Sequence, residues 1–121
     1  MPATMSSSIL NLTDLLQRVD DDRELLAELF FIFKTVFPAH IERLSGAIDR
    51  NEAGEVESES HALKGMLLNL SAPRAAAAAS ALEQMGRGRE SDGMNHGFAE
   101  LQAEVDALLA EINRYPIEPQ P

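Results

Sequence analysis

Apolar positions recur along the chain at three- and four-residue spacing rather than in alternation, so the sequence predicts helices and no strands. Leu26, Leu29, Phe30, Phe33, Phe37, Ile41, Leu44 and Ile48 form one stripe, which predicts a long helix over roughly residues 22–50. Pro38 lacks a backbone donor and is expected to kink it. Ahead of it, Asn11-Leu12-Thr13-Asp14 starts a short helix to about Val19, capped by Thr13 or Asn11. Asp20-Asp21-Asp22 supplies a turn and a second cap. A third helix is predicted from about Glu52 to Leu70, broken at Ser71-Ala72-Pro73. Pro73 suits the first turn of an alanine-rich fourth helix over about 73–85, with Ser71 as its cap. Gly86-Arg87-Gly88-Arg89-Glu90-Ser91-Asp92-Gly93 reads as a loop. Phe98, Leu101, Val105, Leu108 and Ile112 then make the seam of a last helix over about 95–114, ended by Pro116.

Short connections between such helices predict an all-α fold: an antiparallel four-helix bundle with a short N-terminal cap helix. The expected organisation is a disordered lead over 1–8, one bundle domain over 9–115 and a loose tail over 116–121.

Composition narrows the function. A length of 121 residues is enough for one core and one domain. The formal net charge of -10 argues against nucleic acid or an anionic membrane as partner. The chain has no cysteine, which excludes disulfides and thiolate metal sites. The first residues lack the pattern of a signal peptide, and the most apolar stretch, Leu25 to Phe37, is too short to span a bilayer and is broken by Glu28 and Lys34. A soluble cytoplasmic domain is the expectation.

Three histidines are the candidates for chemistry. His40 falls on the core stripe and reads as a packed structural residue, and His96 as an exposed residue at a helix start. His61 differs. With Leu63 at zero and about 100° per residue, Val56, Ser60, Leu67 and Leu70 fall within about 60° and mark the buried stripe. His61, Lys64, Gly65 and Leu68 fall at about 100–200°, on the outer flank. A glycine inside a helix costs about 1 kcal/mol relative to alanine. Beside an outward histidine its missing side chain lets another protein's backbone come close. An imidazole with an ordinary value near 6.5 is mostly an available nucleophile at neutral pH. It can attack phosphorus, and Lys64 one turn away can offset the charge gained. Glu-x-x-His pairs for a di-iron site are missing, and so is a Walker glycine loop. Glu57/His61 and Asp92/His96, at i and i+4, read as surface pairs. Glu52, Glu55, Glu57 and Glu59 read as a solvated helix start, and no metal is expected.

The stretch Ser60-His61-Ala62-Leu63-Lys64-Gly65-Met66-Leu67-Leu68-Asn69-Leu70-Ser71-Ala72 resembles the signature of histidine-containing phosphotransfer (HPt) domains: His-x-Leu-Lys-Gly, then a Gly-Ala turn into the next helix. Leu12-Thr13-Asp14-Leu15-Leu16, the proline-bearing stretch from Leu25 to Ile48 and Leu82-Glu83 extend the resemblance to roughly residues 10–112. It implies that His61 is the phosphorylated nucleophile, Lys64 the stabiliser of phosphoryl charge and Gly65 the point of close partner approach. Glu83 matches a Gln or Glu that bonds the ring's other nitrogen, with Gln84 one residue away as its competitor. Ser71 stands where the family usually has glycine, and Leu67 and Leu68 are bulkier than usual.

The implied function is that of a phosphorelay intermediate in two-component signalling, not a self-standing enzyme. Its partners would be response-regulator receiver domains and a sensor histidine kinase, hybrid or not. It would need no cofactor of its own, Mg²⁺ being expected on the receiver. Leu68 and, by helical angle, Phe31 are expected in the docking face. The rival expectation is an unphosphorylated adaptor or inhibitor that binds a receiver or kinase through the same helical face. A third is a bundle that dimerises through the last helix's heptads, against which a monomer is expected. The starting Met1 and the tail mildly favour a free-standing protein over part of a hybrid kinase. The sensor-kinase dimerisation domain fits poorly, because Ala62 follows His61 where Glu is usual.

Overall fold

A computed structural model describes residues 8–114, and among them there is helix and no strand. Five α-helices follow in order: α1 (Leu12–Arg18), α2 (Arg23–Asp49), α3 (Ala53–Asn69), α4 (Pro73–Arg87) and α5 (Met94–Asn113), with one 3-10 turn at Ser91–Gly93. The tail expected over 116–121 and the lead before Ser8 lie outside the described residues.

Local chemistry sets the ends. Asn11, not Thr13, caps α1: its Oδ1 accepts from the Asp14 N–H at 3.1 Å. Asp22 caps α2 by accepting from the Leu25 N–H at 3.0 Å. The C-termini of α1 to α4 share one device. The second residue past each helix is left-handed, at Asp20, Asn51, Ser71 and Arg89, with φ between 55° and 57°. The next N–H then reaches back five residues, as in Asp21 to Leu16 at 2.8 Å and Ala72 to Leu67 at 3.0 Å. These are Schellman turns, which satisfy otherwise orphaned carbonyls.

Ser71 is therefore not the cap of α4. The N-cap is Ala72, which makes no side-chain cap bond. Ser71 ends α3 in the conformation that favours glycine. Its Oγ donates to Asp14 Oδ2 at 2.6 Å and its carbonyl accepts from the Asn11 N–H at 2.8 Å, tying α1 to the α3–α4 turn.

Pro38 does not end α2, which runs unbroken through it with the proline ring exposed. The predicted loop over 86–93 is corrected twice: Gly86 and Arg87 extend α4, and Ser91–Gly93 is a 3-10 turn. The extension has a packing cause. A Cβ on Gly86 would lie 2.6 Å from the backbone N of Glu57 and 2.9 Å from the Ala53 carbonyl. Only a glycine admits the start of α3 so close.

The core holds Leu15, Leu26, Phe33, Leu44, Val56, Leu63, Leu67, Leu82, Leu101, Val105 and Leu108, with the Phe33 and Phe37 rings tilted against each other at 5.1 Å between centroids. Helix α2 packs on α3, α3 on α4, α4 on α5 and α5 back on α2. The α3–α4 contact is the most extensive, because Ala72, Ala75, Ala76 and Ala79 are buried and small. In α5, Leu101, Val105, Leu108 and Ile112 are buried within this ring and Phe98 half-buried. The seam that could have joined two copies is thus spent inside one chain.

Candidate functional site

The register of α3 follows from its buried stripe of Val56, Ser60, Leu63 and Leu67. That stripe turns His61 outward, and its side chain is 70% exposed. One ring nitrogen is nevertheless fixed. His61 Nδ1 lies 2.9 Å from Glu83 Oε2 of α4. A carboxylate can only accept, so Nδ1 carries the hydrogen and Nε2 presents its lone pair to solvent.

Glu83 is the carboxylate that faces the ring, since Gln84 is exposed on the next position of α4. The Glu83 side chain is only 3% exposed, and a buried charge needs partners. It has three: the His61 ring, Lys64 Nζ at 2.6 Å from Oε1 and Arg87 Nη2 at 3.2 Å from Oε2. The Lys64 ammonium above all, and then the His61 ring, hold the Glu83 carboxyl below the usual carboxylate range despite its burial. It is therefore ionised at neutral pH and accepts throughout.

Arg87 also donates from Nε to Glu57 Oε2 at 3.0 Å, closing α3 to α4 one turn below His61. Glu57 thus pairs with Arg87 rather than with His61. Gly54, Glu57, Ser58, His61, Glu83 and Arg87 line an open cleft of about 400 Å³ beside the imidazole. Sequence reading missed Arg87 because it placed residue 87 in a loop. Its i, i+4 spacing from Glu83 was the available signal.

Gly65 lies one turn above His61, and a Cβ there would meet nothing within 4 Å. Nothing among the described residues packs against it. Leu68 is exposed on the same flank of α3. Phe31 is exposed too, but about 60° from Lys34, which reaches Asn113 of α5, and about 120° from Arg43, which bonds α3. It faces the α5 side of α2 and not the surface around His61.

The other histidines have local partners. His40 is half-buried with Nδ1 3.0 Å from Glu59 Oε1, and Arg43 Nε donates to Glu59 Oε2 at 2.9 Å. His40 and Arg43 hold the Glu59 carboxyl low against the opposing effect of burial. Glu57 and Glu59 are thus interhelical anchors, not a solvated helix start. His96 is exposed beside Glu100 at 3.6 Å, away from Asp92. Among the described residues no three His, Asp or Glu side chains gather as metal ligands.

The described residues thus form an all-helical domain that presents a histidine outward, with its inner ring nitrogen on a buried carboxylate and a lysine one turn on. The family comparison agrees: the Hpt domain model matches residues 10–111, and the chain belongs to that family. Members are phosphocarrier modules of two-component signalling. No curated protein and no solved structure matches the chain. No described helix is long and apolar enough to cross a membrane.

Proposed function

We propose that the protein is a phosphorelay intermediate that carries a phosphoryl group on His61. The Nε2 lone pair attacks the phosphorus of a phospho-aspartate on a receiver, or of a phosphorylated kinase. An N–P bond forms as the donor's bond to phosphorus breaks, and the donor leaves with the electron pair. The reverse step delivers the group to an aspartate of another receiver. The observation that carries this reading is the fixed tautomer: Glu83 accepts a hydrogen bond from Nδ1–H, which leaves the exposed Nε2 lone pair free to react.

Lys64 is poised one turn away to neutralise the phosphoryl oxygens, and Gly65 admits the partner's backbone. Neither supplies a general base or a closed pocket, so the chain contributes positioning, and the partner the rest, Mg²⁺ included. Leu68 is a docking contact in this reading. The ring of packed helices with short connections is read as an antiparallel four-helix bundle capped by α1. Its acidic surface and internally spent α5 seam fit a cytoplasmic monomer whose partners are receivers and a kinase, not nucleic acid or membrane.

The test is intact mass after incubation with a phosphorylated receiver, for wild type and His61→Gln side by side. One acid-labile phosphoryl group is expected on the wild type and none on the variant. A receiver that binds the wild type yet transfers nothing to it would leave an adaptor or inhibitor in the same fold.

A further inference from the structure

Lys64 has two duties that exclude each other. In the resting chain its Nζ lies 2.6 Å from Glu83 Oε1, and no other group bonds that buried oxygen among the described residues. To neutralise a phosphoryl group on His61 Nε2, the same ammonium must turn outward, away from the carboxylate. It is able to turn, because its four-carbon stem is flexible and its side chain only half-buried.

Glu83 is too deeply buried to follow it. A buried carboxylate stripped of a cation either takes up a proton or holds the cation back. Both outcomes oppose phosphorylation. As the Nε2–P bond forms, the ring becomes cationic with its hydrogen still on Nδ1, and an ionised Glu83 is what holds that hydrogen. If Lys64 leaves, Glu83 needs a second cation.

Arg87 is placed to supply it. Its Nη2 lies 3.2 Å from Glu83 Oε2, long for a charged pair, while its Nε is fixed 3.0 Å from Glu57 Oε2. At rest it is the minor partner, since Lys64 dominates the Glu83 carboxyl. The guanidinium is planar and carries several donors, so its Nη groups can close on both Glu83 oxygens while Nε stays on Glu57. The Glu57 contact anchors it between α3 and α4, where an unanchored lysine would be free to leave.

We infer that Arg87 is a positioning residue for phosphoryl transfer. It takes over Glu83 Oε1 when Lys64 moves to the phosphoryl oxygens, so that the carboxylate keeps a cation and Nδ1 its hydrogen. The inference rests on the phosphoryl-carrier reading and adds to it a residue that does not touch phosphorus. Arg87 acts through Glu83 alone, and only in the phosphorylated chain.

The experiment supplies the full chain with phosphoramidate and reads the steady-state ratio of phosphorylated to free chain by intact mass. In that reaction Nε2 attacks phosphorus, the P–N bond breaks and ammonia leaves with the electron pair. Arg87→Gln should lower the ratio by about tenfold, the order of one hydrogen bond to a charged group. Arg87→Lys keeps a cation within reach of Glu83 and should recover most of the loss. Arg87 is exposed, so both variants should melt near wild type. In a Glu83→Gln background no charge is left to hold, and Arg87→Gln should cost nothing further. By NMR, the Nδ1–H resonance of His61 should be unmoved by Arg87→Gln in the free chain, where Lys64 still holds Glu83, and move in the phosphorylated one. A loss of the same size in the Glu83→Gln background would put Arg87 on the phosphoryl group itself. An unchanged ratio in Arg87→Gln would mean that Glu83 needs no second cation. A resonance that moves already in the free variant would make Arg87 a structural brace. Each of these three overturns the hand-over and leaves the carrier standing. A wild type that takes up no phosphoryl group overturns the carrier, and the hand-over with it.

Discussion

Gly65 lies inside α3 and Gly86 in the last turn of α4, two helices that pack on each other, and the mid-helix glycine forgoes about 1 kcal/mol of helix propensity. Gly86 is buried, and a Cβ there would strike the backbone of α3. Gly65 is exposed, and a Cβ there would meet open space. The first glycine is explained by this chain, since it sets how closely α3 and α4 approach. No described residue explains the second, and the carrier reading takes it up as the point where a partner approaches. The two glycines thus separate a packing role, seen in the structure, from a role that only the proposed function supplies.

The comparison is broken most directly by filling both positions. Gly86→Ala should destabilise the fold by about 2–3 kcal/mol, an overpacking cost that backbone atoms cannot relieve, seen as a lower denaturation midpoint in urea. Gly65→Ala should instead stabilise by about 1 kcal/mol in the same assay. It should also slow phosphoryl exchange with a receiver several-fold while leaving uptake from phosphoramidate unchanged. Equal stability effects at the two positions would remove the distinction.

Acid should come next. Asp14, Glu59 and Glu83 all titrate below their ordinary values in the folded chain: Asp14 chiefly through the Ser71 hydroxyl, Glu59 through His40 and Arg43 against the effect of burial, and Glu83 chiefly through Lys64. Groups lowered by folding add stability that is present in full above their unfolded values, here 3.8 for Asp and 4.5 for Glu, and is lost as pH falls through the folded ones. Urea midpoints should therefore be flat from pH 7 to about 5 as far as these carboxylates are concerned, and fall below that. Glu83→Gln should shallow the fall. An effect on stability as small as that of Gly65→Ala belongs to Ser60, whose buried Oγ has no hydrogen-bond partner among the described residues although His61 beside it is well bonded. Ser60→Ala should raise stability by about 1 kcal/mol, through relief of an unsatisfied hydroxyl, and leave phosphotransfer untouched.

How much of this was legible in the sequence depends on what each residue answers to. The helix bodies and the outward placement of His61, Lys64 and Gly65 follow from periodicity alone, because burial of one face fixes the rotation of the whole helix. The partnership of Glu83 with His61 came from the family resemblance, since a contact between α3 and α4 has no local spacing rule. Arg87 was lost because the two glycines around it look like a loop, and only the approach of Glu57 to Gly86 shows why one of them is helical. Ser71 was misread as a cap because its type suits an N-cap, while its backbone closes the preceding helix and its hydroxyl serves α1. Phe31 was assigned to the docking face from its angle to the core alone, which cannot say which neighbouring helix lies beside it.

Four of the helix ends close on Asp20, Asn51, Ser71 and Arg89, none of them glycine, in the backbone region that disfavours side chains. Asp and Asn tolerate it through their short polar groups, but Ser and Arg gain little there. The chain thus holds an unspent reserve of thermal resistance in its corners, least at Ser71, whose hydroxyl also ties α1 to the α3–α4 turn. A lineage, or an engineer, could draw on it to harden the scaffold without altering what the signalling surface recognises.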